Sequence, residues 1–124
     1  MSPIYSPAVL DHFTNPRHVG MMADADAVGQ VGGGPMCPDD LVYVWIKVRS
    51  GRIAEINHKT MGCPVAISSS SMTCSLALGK TLEEAMAITP AVVIAALDGV
   101  PERRTDSVVA PDALRKAIEA YREE

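Results

Sequence analysis

The polar and apolar positions change period along the chain. Ser6-Pro7-Ala8-Val9-Leu10-Asp11-His12-Phe13-Thr14 opens like a helix, with a serine N-cap and proline at the first helical position. Val9, Leu10 and Phe13 form its apolar stripe, and Asn15-Pro16 ends it because the residue before proline avoids the α region. Leu41-Val42-Tyr43-Val44-Trp45-Ile46-Lys47-Val48 is rich in β-branched and aromatic residues and predicts a strand. Ser50-Gly51 marks a turn, and Arg52 to Thr60 alternates as the returning strand. A third strand is expected from residues 28 to 34.

After Gly62-Cys63-Pro64 the spacing becomes helical, with Val65, Ile67, Met72, Leu76 and Leu78 running to Gly79. Thr81-Leu82-Glu83-Glu84 reads as a capping box opening a short helix to Ile88. Another helix is expected from Pro90 to Leu97, then a loop over 99–104, then a last helix from Val108 to Tyr121. Strands first and helices afterwards predict an α+β fold, a small three-stranded antiparallel sheet with helices packed on one face. At 124 residues the chain makes one domain, 1–124, with a single core.

Aromatic residues make up only 4% of the chain, so the core must rest on Val, Ile, Leu, Ala and Met. The net charge of −4 and the lack of any basic cluster beyond Arg103-Arg104 argue against nucleic acid, which needs a positive stripe to displace counterions. No apolar run reaches the ~18–20 residues of a membrane span, and the N-terminus has no signal-peptide pattern. A cytoplasmic location is expected. Three cysteines cannot close a disulfide framework and suit a reducing compartment.

The candidate chemistry lies where Cys37, Asp39 and Cys63 can meet. Cys37 falls in the loop Gly32-Gly33-Gly34-Pro35-Met36-Cys37-Pro38, with Asp39 two residues on. A phosphate loop would need Lys-Ser/Thr after its glycines, and there is none. Cys63 precedes a helix, where unpaired N–H groups favour thiolate, the form that binds soft metals and attacks sulfur. The alternative for both cysteines is a buried, inert role. Cys74 lies eleven residues after Cys63, roughly 16 Å along a continuous helix, too far to share an ion; it is expected to be a small packed residue. His12 is expected to pack or cap, and His18 and His58 to lie on the surface. The serines 68–71 are expected to allow close helix packing.

Longer words make the pattern more specific. Tyr5-Ser6-x-x-Val9-Leu10-Asp11-His12-Phe13-x-Asn15-Pro16-Arg17-x-Val19-Gly20 resembles the opening of the IscU-type and NifU-type iron–sulfur cluster assembly scaffolds. Thr60-Met61-Gly62-Cys63-x-x-Ala66-Ile67-x-Ser69-Ser70-Ser71 is similar to that family's second cysteine motif. Gly79-Lys80-Thr81-Leu82-Glu83-Glu84-Ala85 and Asp112-Ala113-Leu114-x-x-Ala117-Ile118-x-x-Tyr121 match later segments. The resemblance covers nearly the whole chain.

It implies a three-stranded antiparallel sheet covered by helices and a non-enzymatic scaffold. Such a scaffold takes sulfur from a cysteine desulfurase, builds a [2Fe–2S] cluster with iron, and passes it to apo iron–sulfur proteins. Its ligands, three cysteines and an aspartate, map onto Cys37, Asp39 and Cys63, with Pro38 replacing the glycine of the family's Cys-Gly-Asp word. The third cysteine and its preceding histidine are replaced by Asp106 and Thr105. Of the chaperone-recognition word only Val100-Pro101 matches, so chaperone contact is not implied. The resemblance thus implies a metal set of Cys37, Asp39, Cys63 and Asp106. Two sulfurs with two oxygens would hold a cluster more loosely than an all-cysteine site and would also accept zinc. Three readings stay open: a divergent cluster scaffold, a zinc-binding sulfur relay of the same family, and a degenerate non-catalytic partner of a cysteine desulfurase.

Overall fold

The structure, a computed structural model, describes residues 5–35 and 38–123. The elements run α1 (Pro7–Thr14), β1 (Ala27–Gly32), β2 (Leu41–Arg49), β3 (Arg52–Met61), α2 (Pro64–Ala77), α3 (Leu82–Met86), α4 (Pro90–Ala96), a 3₁₀ helix (Glu102–Ser107) and α5 (Ala110–Arg122). The sheet is antiparallel in the order β1-β2-β3. Arg49 pairs with Arg52 across Ser50 (φ 55) and Gly51 (φ 73). Two positive φ angles in a two-residue loop make the primed turn that matches strand twist.

Alternation decides the two faces. Val42, Val44 and Ile46 of β2 and Ile53, Ile56 and His58 of β3 are buried beneath helices, whereas Tyr43 and Trp45 stack at 5.6 Å on the opposite side. The register shift at Lys47/Val48 lets Ile53 and Ile56, three apart, both turn inward. Helix α5 carries Ala110, Ala113, Leu114, Ala117 and Ile118, all buried, as one stripe over β1 and β2. It comes so close that a Cβ on Gly29 would lie 1.9 Å from the Ala113 carbonyl oxygen.

Helix α2 is buried on most of its surface, including Ser68, Ser69, Ser70, Ser71 and Thr73. Most of their hydroxyls are satisfied within the helix, while Ser71 Oγ meets His12 Nδ1 and accepts from the Arg17 N–H. Ser68 donates to the Pro64 carbonyl, Ser70 to that of Ala66 and Thr73 to that of Ser69, each at 2.7 Å. The run therefore costs little in unpaired groups while keeping neighbouring elements close.

Some expectations need correction. His58 is not on the surface: it is 1% exposed, because it shares Val44's inward face. Its Nε2 lies 3.1 Å from the Arg17 carbonyl and its Nδ1 2.8 Å from Thr60 Oγ1. Helix α1 buries Val9 and His12, while Leu10 and Phe13 are exposed. The helix is rotated toward α2, where His12 Nδ1 meets Ser71 Oγ at 2.8 Å. Finally, part of the expected loop is the 3₁₀ helix, and α5 begins at Ala110 rather than Val108.

Candidate functional site

Three stretches of irregular backbone converge at one end of the sheet. The loop after β1 is drawn shut by a hydrogen bond from Gly33 N–H to the Asp40 carbonyl at 2.9 Å. It rests on the 3₁₀ helix, with Gly34 N–H donating to the Asp106 carbonyl at 3.4 Å. A Cβ at Gly34 would sit 2.8 Å from the Asp106 carboxyl carbon, so glycine is what admits that carboxylate. The third stretch is the β3–α2 junction, Gly62-Cys63.

Cys63 is the N-cap of α2, in extended backbone (φ −75, ψ 173), and Pro64 follows at the first helical position, as the sequence predicts. Its side chain makes no capping bond and is partly exposed. Its Sγ instead lies 3.2 Å from Ser107 Oγ. The Ser107 hydroxyl, fully buried, donates to Asp40 Oδ2 at 2.5 Å. Asp40 is only 6% exposed. Its other oxygen faces Gly62, where a Cβ would come within 2.3 Å, so the glycine makes room for the carboxylate.

The expected ligands are placed unequally. Cys63 is at the site, and Asp106 lies half-buried beside Gly34. Asp39 is exposed in the turn that leads into β2. Cys37 lies outside the described residues. Among the described residues no three His, Cys, Asp or Glu side chains close on one point. A thiol and carboxylates on one surface are donor types that iron and zinc accept; completing a set needs a donor beyond those described.

Cys74 is fully buried, and burial pushes its thiol well above the ordinary range, in keeping with an inert packed role. His12 is lowered by burial first and by Arg17 second. His58 is pushed down to about 4, chiefly by burial. Neither imidazole is at the site.

Asp40 and Ser107 are missed by motif reading. A signal for Asp40 does exist. It has the same parity as Val42, Val44 and Ile46, so a strand extended backward by one residue points an acid into the core side. Ser107 opens the segment Ser107-x-x-Ala110-x-Asp112-Ala113 that the family resemblance includes, but nothing local gives it a role beside the cysteine. A groove of about 330 Å³, lined by Gly33, Gly34, Asp106 and Asp112 among others, adjoins the site on the Asp106 side.

Comparison with known proteins bears on the family and the fold. The family described as NifU-like N terminal domain matches residues 4–124. The iron–sulfur cluster assembly scaffold protein IscU 1 of Archaeoglobus fulgidus is 50% identical over 119 residues, 95% of this chain and 76% of that protein. The IscU scaffold protein of Aquifex aeolicus is 35% identical over 123 residues, 98% of this chain and 78% of that one. The crystal structure of a NifU-like protein (N-terminal) from Brucella abortus superposes with TM-score 0.77 at 23% identity, covering 98% of this chain and 96% of that one. On the family match and the identity to these relatives, the chain belongs to the NifU-like N-terminal domain family.

Proposed function

We propose that this protein is a scaffold for iron–sulfur cluster assembly, holding iron or a cluster as cargo and releasing it to apo-proteins. The observation that carries the reading is Cys63. It is a partly exposed thiol at a helix N-cap, with no capping bond of its own, at the meeting point of a glycine loop and a carboxylate-bearing 3₁₀ helix. Cys37, Asp39, Cys63 and Asp106 are the ligand set we assign, with [2Fe–2S] as the cluster. The relatives named as scaffolds support this direction. Sulfur would come from a cysteine desulfurase. The chain's own part is to hold and present the cargo rather than to turn over a substrate.

The position of Asp106 favours zinc as a second cargo or occupant. A carboxylate there makes a two-sulfur, two-oxygen set, which zinc takes in tetrahedral geometry. Oxygen donors hold a cluster less tightly than thiolates, which suits a protein that must give its cargo up.

Anaerobic reconstitution with ferrous iron and sulfide tests the reading. Visible charge-transfer absorption should appear in the wild type, weaken in Cys37→Ala, and be lost in Cys63→Ala. No cluster in the wild type under those conditions would refute it. Metal analysis of protein as purified distinguishes zinc from iron.

A further inference from the structure

Among the described residues Asp40 is the only buried carboxylate. Taking a carboxylate out of water costs several kcal/mol unless it is well paired, and an apolar side chain fills the same space more cheaply. Simple packing therefore does not account for an acid at this inward-facing position. Its two oxygens are both committed to the walls of the site, Oδ2 to the Ser107 hydroxyl at 2.5 Å and Oδ1 to the space left by the missing Gly62 Cβ.

The consequence falls on Cys63. A serine hydroxyl has one hydrogen and rotates freely unless something fixes it. Because the Ser107 hydrogen goes to Asp40, the serine oxygen is held in one orientation, 3.2 Å from Cys63 Sγ. Ser107 is itself fully buried, on a 3₁₀ helix that packs against α2, the helix that carries Cys63 at its N-cap.

We propose that Asp40 is a positioning residue for Cys63, acting through Ser107, whose oxygen accepts from the thiol, to fix where the sulfur points before it gives up that proton to take a metal. The adjacent acids then divide the work. Asp39, exposed, is free to reach a ligand; Asp40, buried, holds the wall behind the sulfur. This rests on the scaffold reading for the identity of the cargo, but the brace is made of this chain's own residues. Outer-shell partners of this kind typically tune metal affinity by about 10- to 100-fold.

The test uses the full chain with Asp40→Asn, Ser107→Ala and Ser107→Thr, each checked for folding by thermal unfolding. Anaerobic titration with Co²⁺ reads two quantities, the dissociation constant and the energy of the thiolate-to-cobalt band. Ser107→Ala should weaken Co²⁺ binding by about 10-fold or more and shift the band. Asp40→Asn, whose amide oxygen still accepts, should lie between it and the wild type. Ser107→Thr, which keeps the hydroxyl, should recover wild-type values. In metal-free protein, iodoacetamide should alkylate Cys63 severalfold faster in Ser107→Ala than in wild type, with the rate in urea-unfolded protein as the reference. Wild-type affinity, band and Cys63 alkylation rate in a folded Ser107→Ala would overturn the proposal, whether or not Asp40→Asn folds. If the wild type binds neither Co²⁺ nor a cluster, the scaffold reading fails, while the Cys63 alkylation rate still decides the brace.

Discussion

His58 makes the fold's stability depend on pH in a calculable way. The Arg17 carbonyl can only accept, so Nε2 must carry the hydrogen, and Nδ1 then accepts from the Thr60 hydroxyl. The neutral ring is fully satisfied. Charging it would place an imidazolium 1% exposed beneath the helices, and burial accordingly pushes the folded value from 6.5 to about 4. Above pH 6.5 neither state binds the proton and stability is unaffected. As pH falls below 6.5 the unfolded chain takes up a proton that the folded chain refuses until about 4, so stability is lost across that window and levels off below it. At ~1.36 kcal/mol for each tenfold change in protonation, the total is about 3 kcal/mol, of which about 2 is lost by pH 5. That is a large part of the ~5–15 kcal/mol typical of a domain. The assay is urea unfolding at several pH values between 7.5 and 5, for the wild type and His58→Gln. The background from His12 and the carboxylates is common to both, so the wild type should lose about 2 kcal/mol more than the variant over that interval. Parallel pH dependences would refute the assignment of His58 as a buried neutral base.

Gly29→Ala would drive a Cβ to 1.9 Å from a backbone oxygen of α5; neither backbone can yield locally, and a loss above the usual ~1–3 kcal/mol of overpacking is expected by chemical denaturation. Gly62→Ala would meet Asp40 Oδ1 at 2.3 Å, so it should both lower the melting temperature and weaken Co²⁺ binding, whereas Gly51→Ala, with nothing within 4 Å of its Cβ position, should cost stability through its φ of 73 alone and leave Co²⁺ binding unchanged. Thr81→Ala removes the hydroxyl that accepts from Glu84 N–H in the capping box, and about 1 kcal/mol should be lost in urea unfolding with no effect on metal binding. Cys74 should resist iodoacetamide in native protein and react only on unfolding, because it is fully buried.

Local patterns determined most of the architecture. The Ser6 and Thr81 caps, the Ser50-Gly51 turn, the alternation of β2 and the position of Cys63 at a helix start are all properties of a few adjacent residues. Short-range sterics and hydrogen bonding act on such neighbours whatever the rest of the chain does. The last helix was also expected, and in the fold Ala110, Ala113, Leu114, Ala117 and Ile118 form its buried stripe. The family words marked Cys63 and Asp106 as candidate residues.

The remaining features come from contacts between segments distant in sequence. His58 shares the inward face of Ile56 and Val44, but the partner that satisfies its Nε2 is the Arg17 carbonyl, 41 positions away. The Val9-Leu10-Phe13 stripe of α1 lost to Val9 and His12 because Ser71 offers a partner. The Asp40–Ser107–Cys63 chain joins residues 67 and 44 positions apart. No periodicity records such a pairing, because the orientation of each side chain is set by the neighbour that folding brings to it. The sequence alone thus determined the elements and the cysteine that lies between two of them. Folding decided which acid stands behind that cysteine, since the burial of a charge is settled by what surrounds it and not by what precedes it.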